Sequence, residues 1–241
     1  MMKNGLSLGL LILCVLFVPA PGSARDSEMP TVAMIGTGNV GSSLGPRLSE
    51  LGYPLLYGSR SPGDAAVAEL LTATGSSARA LMPAKAAAQA DVIVLAVPYA
   101  AVEELLASFG DLGGKIIIDC INAVRFHGQD ISLITPSIAA TIARLAPGAH
   151  VIKTLNTTNA ANMLNPRHPQ GVISMPVAGD DPAAKQTVTR LLEALGFHVV
   201  DVGPLSNAAH LEAMGALYIH MNAIQGRRGN FEYRILQTDS E

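Results

Sequence analysis

Gly36-Thr37-Gly38-Asn39-Val40-Gly41 spaces three glycines as G-x-G-x-x-G. Glycines at that spacing act through their backbone. The first permits a tight turn, the second lets the chain approach a pyrophosphate, and the third lets a helix pack closely on a strand. N–H groups at the start of the following helix then face the phosphates. The pattern carries weight only between a strand and a helix. Here Thr31-Val-Ala-Met-Ile35 reads as a buried strand, and Ser42 to Leu51 has the apolar spacing of a helix lying on a sheet.

About 20 residues past the glycines, at the end of a second strand, a dinucleotide fold selects its cofactor. Sites for NAD carry Asp or Glu there for the ribose 2′-hydroxyl. This chain has Ser59 and Arg60. A carboxylate would repel a 2′-phosphate, whereas a guanidinium and a hydroxyl would bind it. The pair therefore points to NADP. Farther on, Asp91-Val-Ile-Val-Leu-Ala96-Val97-Pro98 is a continuous apolar strand stopped by proline, and the backbone of Ala96, Val97 and Pro98 would pass beside the nicotinamide ribose.

A further strand, His150 to Leu155, runs into Asn156-Thr157-Thr158-Asn159. Ligands of open α/β sheets lie beyond the carboxyl ends of strands, so Asn156, Thr157 and Asn159 are candidates for the substrate-side wall. The same residue types also start helices, and the two roles are compatible. No catalytic acid or base stands out. Cys120 has no basic neighbour in sequence and reads as a small buried residue. His210 and His220 point to different faces of one helix, and no metal-ligand spacing occurs.

The elements that must hold these residues alternate between strand and helix, which predicts an α/β, Rossmann-type, doubly wound and mostly parallel sheet. The stretch 123–133 reads as a polar loop. Gly171 to Gly179 reads as one strand, Asp181 caps a helix running to Leu195, and Phe197 to Val202 is another strand. Gly203-Pro204-Leu205-Ser206-Asn207 then opens a long helix reaching about Ile224.

With 241 residues, 49% hydrophobic, the chain has ample core material. A net charge of −3 and the lack of a basic run exclude nucleic-acid partners. The absence of tryptophan argues against a base-stacking platform. Lys3, the apolar run Leu6 to Val18 and the small residues at Gly22 and Ala24 have the order of a secretory signal peptide over 1–24. A linker over 25–30 and a domain over 31–241 follow, with no stable membrane span after cleavage and a periplasmic or secreted location. Met29 offers another start, which would give a cytoplasmic protein.

Several separated segments agree with one family. Gly36-Thr-Gly-Asn-Val-Gly41, Gly58-Ser-Arg60, Ala96-Val-Pro98, Val177-Ala-Gly-Asp-Asp181 and Asp201-Val-Gly-Pro-Leu-Ser-Asn207 resemble the NADP oxidoreductases that use the deazaflavin coenzyme F420. The similarity spans Thr31 to about Leu236. The nucleotide domain also resembles the cytosolic part of six-transmembrane ferric reductases and, more distantly, the N-terminal domain of pyrroline-5-carboxylate reductases.

The resemblance implies C-terminal helices packed over the cofactor side, a homodimer, and NADP with coenzyme F420 or a flavin as co-substrate. It matches Thr37 to Val40 with the pyrophosphate loop, and Ser59 with Arg60 to the 2′-phosphate. The archaeal members carry His and Pro against the deazaflavin ring where this chain has Asn156 and Asn159. They carry a basic residue where it has Asp64. The leading expectation is an NADP(H)-dependent oxidoreductase whose acceptor is flavin-like, a deazaflavin, or a small imine or carbonyl. The alternative is a non-catalytic exported or sensory NADP-binding protein.

Overall fold

The computed structural model describes residues 29–227, 230–236 and 238. The expected signal peptide and residues 25–28 of the expected linker lie outside the described residues.

Aliphatic runs form the strands, and Ala- and Leu-rich stretches form the helices between them. In chain order these are β1 (Val32–Ile35), α1 (Asn39–Glu50), β2 (Leu55–Gly58), α2 (Ala65–Thr74), β3 (Ala78–Leu81), α3 (Pro83–Gln89), β4 (Val92–Leu95), α4 (Val102–Ala107) and β5 (Ile116–Asp119). A hairpin, β6 (Val124–His127) and β7 (Asp130–Leu133), leads to α5 (Ile138–Leu145) and β8 (His150–Lys153). Then come α6 (Ala160–Leu164), the short hairpin β9 (Arg167–His168) and β10 (Gly171–Val172), β11 (Ser174–Gly179), α7 (Pro182–Ala194), β12 (His198–Asp201) and α8 (Ala208–Ile219).

Eight strands make one sheet in the order β12-β11-β8-β5-β4-β1-β2-β3. From β3 to β8 every pairing is parallel. Parallel sheets are covered on both faces, and the residue alternation shows it. Val32, Met34, Val94 and Ile118 join one core, whereas Ala33, Ile35, Ile93 and Ile117 join the other. This is the expected doubly wound α/β architecture.

The last two sheet strands run the other way. β11 pairs antiparallel with β8, placing Ala178 opposite Lys153 and Gly179 opposite Ile152, and β12 runs parallel to β11. Moving back along β11 toward Ser174 therefore passes beyond the carboxyl end of β8. The hairpin β9–β10 lies on that side, where the ends of β1, β4 and β5 also open.

Three local differences from the sequence reading have simple causes. The Ala78-Arg-Ala-Leu81 stretch has no β-branched residue, yet it forms an edge strand because β2 offers it a full register, Leu55↔Ala78 to Gly58↔Leu81. The stretch 123–133 is not a loop but the hairpin β6–β7, turned by Gly128 at φ +65°. The last helix ends at Ile219 and continues as one wider π turn, His220–Ile224.

Residues 230–236 form a strap over this end. Ser174 N–H donates to the Tyr233 carbonyl at 2.9 Å, and Ile235 N–H donates to Ser174 Oγ at 2.8 Å. The Tyr233 hydroxyl donates to the Met214 carbonyl at 2.9 Å. Asn222 Nδ2 donates to the Phe231 carbonyl at 3.1 Å. Among the described residues, no helix is long and apolar enough to cross a membrane.

Candidate functional site

The glycine loop leaves β1 as its spacing demands. Gly36 has φ +113°, and a Cβ built on it would lie 2.3 Å from the Ala96 carbonyl oxygen, so only glycine fits the turn. A Cβ on Gly41 would lie 2.1 Å from the Gly36 oxygen, which accounts for close helix–strand packing. A Cβ on Gly38 would meet nothing within 4 Å. The open space at the central glycine thus lies beside the start of α1. Gly38 is the cap residue, no side chain bonds to the cap, and the first turn has no acidic residue. Thr37 and Val40 are half-buried and Asn39 is exposed. The leading N–H groups and the positive end of the helix dipole are left for a ligand.

The flanking strands bring the other nucleotide candidates to the same edge. Ile35 pairs with Gly58 on one side and with Leu95 on the other, so Gly36, Ser59 and Ala96 leave neighbouring parallel strands together. Ser59 N–H donates to the Leu81 carbonyl at 3.0 Å, and Ser59 Oγ accepts from Ser61 N–H at 3.2 Å. Arg60 is exposed, with no hydrogen bond or ion pair among the described residues. Ala96 N–H donates to the Ile35 carbonyl at 2.9 Å, while Val97 is half-buried and Pro98 exposed. Asp64 is exposed at the start of α2.

At the ends of β5 and β8 the chain is packed more deeply. Leu155 has φ +59°, the one positive value at a non-glycine among the described residues. That conformation costs roughly 1–2 kcal/mol and turns Asn156 inward. Asn156 is 1% exposed and Thr157 is fully buried. Asn156 Nδ2 donates to the Leu211 carbonyl at 2.7 Å and to Asn122 Oδ1 at 3.2 Å. Asn122 Nδ2 donates back to the Asn156 carbonyl at 2.8 Å. Asn156 Oδ1 is buried with no partner among the described residues. Thr157 Oγ1 lies 3.8 Å from the Met175 sulfur. Asn159 caps α6, its side chain accepting from Asn162 N–H at 2.8 Å.

Beneath this pair lies a charged network absent from the sequence reading. Lys153 and Asp119 are fully buried, and Glu212 is 2% exposed. Lys153 Nζ donates to Asp119 Oδ2 at 3.0 Å and to the Ile121 carbonyl at 2.6 Å, and lies 3.9 Å from Glu212 Oε1. Glu212 accepts from Ser137 Oγ and from the N–H groups of Ile138 and Ala139, at 3.0 to 3.1 Å. A carboxylate from α8 thereby satisfies the N-terminus of α5. Cys120 is buried, and desolvation followed by the Asp119 charge pushes its thiol up to about 12. It is a packed, unreactive thiol.

A carboxyl group also reaches this region from the strap. Glu232 Oε1 accepts from the Tyr218 hydroxyl at 2.9 Å and from Asn162 Nδ2. Its Oε2 is buried, as is the Thr158 hydroxyl that interacts with this carboxyl. Burial drives its pKa above the usual value, against the hydrogen bonds of Asn162 and Tyr218. The Tyr218 hydroxyl is raised as well, by burial and then by the Glu232 charge. Glu232 sits 70 residues from Asn162 in sequence, which is why no local pattern marked it. The one legible signal was Gly215 inside a helix. A Cβ there would lie 2.2 Å from Asn122 Oδ1 and 2.6 Å from Asn156 Nδ2.

Residues 31–123 match the family model for coenzyme F420-dependent NADP oxidoreductase. The chain is 32% identical over 223 residues to the F420-dependent NADP reductase of Methanothermobacter thermautotrophicus, covering 85% of this chain and 94% of that protein. It is 30% identical over 204 residues to Metalloreductase STEAP3 of Rattus norvegicus, but spans only 39% of that protein's length. A crystal structure of a putative F420-dependent NADP-reductase from Arthrobacter sp. FB24 superposes with a TM-score of 0.78 at 32% identity, covering 86% of this chain and all of that one.

Proposed function

The chain belongs to the coenzyme F420-dependent NADP oxidoreductase family, and from that premise we propose that it is an NADPH-dependent reductase with its nucleotide across the ends of β2, β1 and β4. The observation that carries this is the juxtaposition of an open α1 start at Gly38, with no side-chain cap, and Arg60, unpartnered among the described residues, at the end of the adjacent strand. N–H groups of Gly38 to Gly41 hold the pyrophosphate, and Ser59 and Arg60 hold the 2′-phosphate. The backbone of Ala96 to Pro98 lines the ribose.

When bound, the nicotinamide supplies hydride chemistry. The chain's own task is to orient the ring and to wall the acceptor beside Asn156, Thr157 and Asn159. The acceptor is a flavin, a deazaflavin, or a small imine or carbonyl. The Asn122–Asn156 pair stiffens that wall, because both Nδ2 groups are already committed to carbonyl or amide oxygens. Titration of the purified protein with NADPH and NADH tests the nucleotide assignment; equal affinity for the two would remove it. NADPH oxidation with coenzyme F420, FMN or a cyclic imine then distinguishes a reductase from a protein that only binds the nucleotide.

A further inference from the structure

The turn that carries Asn156, Thr157 and Asn159 has little support of its own. Leu155 enters it at φ +59°. The helix that leaves it, α6, has five residues and takes its cap from Asn159. A helix that short is not stable by itself in water. On one side α6 packs on α1, the helix of the glycine loop, and Met163 is buried in the same core as Leu44 and Leu48. The turn therefore stands between the nucleotide helix and the group that holds it from the other side.

That group comes from the strap. Backbone ties on either side of Glu232 fix where its carboxyl ends. Phe231 N–H donates to Asn222 Oδ1 at 3.3 Å, and the Tyr233 carbonyl accepts from Ser174 N–H at 2.9 Å. Between them the Glu232 carboxyl meets the Tyr218 hydroxyl of α8, Asn162 Nδ2 of α6 and the Thr158 hydroxyl of the turn itself. Tyr218 also lies against the side chain and the backbone N–H of Asn159. The Asn159 side chain is thus shared between the α6 cap and Tyr218. Burying a carboxyl costs stability unless donors surround it, and a satisfied buried network specifies one arrangement of its members. Here those donors belong to the turn and to the two helices that border it.

We propose that the strap is a latch on the acceptor wall, and that Glu232 is a positioning residue for the hydride acceptor. It acts through Thr158, Asn162 and Tyr218 to set where Asn159 and the preceding Asn156-Thr157 stand relative to the nucleotide helix. The inference rests on the NADPH reading above, which makes that turn the acceptor wall. Removing the carboxyl leaves three buried donors without their acceptor, so the turn loosens first. The glycine loop is carried by β1 and α1 and keeps its geometry. A glutamine has the same length and one acceptor oxygen, and the Thr158 hydroxyl can turn to accept from its amide. Glutamine therefore keeps the latch where alanine loses it.

The test uses the full chain. Backbone amide exchange reads the turn without any ligand. In Glu232→Ala the amides of Asn162 and Met163, both bonded to Asn159, should exchange about tenfold faster than in wild type, while those of β1 and β4 keep their rates. Thr158→Val cuts the same latch from the turn side. It should give the same local change, with little added in the double variant. Glu232→Gln should stay near wild type. The second measurement is NADPH oxidation with FMN, coenzyme F420 and 1-pyrroline in turn. For an acceptor that is reduced, KM should rise about tenfold or more in Glu232→Ala, with the Kd for NADPH within about twofold of wild type. Glu232→Gln should restore that KM. Exchange that speeds throughout the sheet, or that is unchanged near Asn159, would overturn the latch. So would an unchanged acceptor KM, a KM that Glu232→Gln fails to restore, or a wild type that binds NADPH and reduces none of the three. Each of these leaves the nucleotide reading intact. A wild type that binds no NADPH removes the acceptor wall and the nucleotide reading together.

Discussion

Asn122 and Asn156 clasp one another across the ends of β5 and β8, each donating its Nδ2 to an oxygen of the other. The clasp exists because α8 presents Gly215 to it. Helix propensity alone favours alanine over glycine by about 1 kcal/mol, yet a methyl at 215 would intrude on both side chains. Gly215→Ala is therefore expected to destabilise the fold by about 1–3 kcal/mol in urea denaturation. A stabilised variant would show that the clasp is loose.

Gly36 and Gly38 should respond oppositely to alanine. Gly36→Ala meets a backbone oxygen at a positive φ, so its folded state should be destabilised even without nucleotide. Gly38→Ala meets nothing in the protein itself. It should melt within a degree or two of wild type, yet bind NADPH at least tenfold more weakly if the pyrophosphate lies there. Calorimetry on both variants reads the difference.

Arg60→Ala removes a guanidinium with no intramolecular role among the described residues, so stability should hold. A charged hydrogen bond contributes about 1.5–3 kcal/mol, or a roughly 10- to 100-fold rise in Kd. The loss should appear for NADPH and be absent for NADH. Equal losses for the two would contradict the assigned 2′-phosphate contact.

Lys153→Met would leave Asp119 and Glu212 facing one another in a buried space. Breaking a buried ion pair from one side costs about 3–5 kcal/mol, and chemical denaturation should show a loss of that order. The α5 N-terminus would be disturbed with it, because Glu212 supplies its acceptors. A loss below about 1 kcal/mol would mean that Lys153 is not the counter-charge.

Glu232 gives a pH signature. Its folded pKa is raised above the reference 4.5, mainly by burial. A proton is therefore held more tightly in the folded protein than in the unfolded one. The stability this contributes is complete below pH 4.5 and is lost as pH rises through the higher folded value. Thermal midpoints of wild type minus Glu232→Gln, followed upward from pH 4, should decline and then level. A flat difference would remove the shift.

The nucleotide half was legible because its constraints are local. The loop from Gly36 to Gly41, Ser59 with Arg60, and Ala96 to Pro98 each sit at the end of a recognisable strand, and consecutive βα units place them together. The Asn156–Asn159 stretch was legible as a turn into a helix, and Asn159 does cap α6. Which oxygen each side chain would meet was not, since the partners of Asn156 lie on Asn122 and Leu211, 34 and 55 residues away. Glu212, Lys153 and Glu232 escaped notice for a similar reason. A single charged residue inside an apolar strand, helix or strap has no periodicity, and its meaning comes only from the distant group that pairs with it.

The strap also bears on the order in which the molecule can be made. The loop, the first two helices and β1 to β5 are complete within the first half of the described chain, and they pair almost entirely with near neighbours in sequence. Glu232 and Tyr233 are made only after every strand of the sheet, the last of which ends at Asp201. A nascent chain can thus carry every strand of the sheet while the strap that closes this end is still missing. Affinity for NADPH should be measurable in ribosome-arrested chains whose sheet has emerged and whose strap has not, which separates nucleotide loading from closure of that end in time.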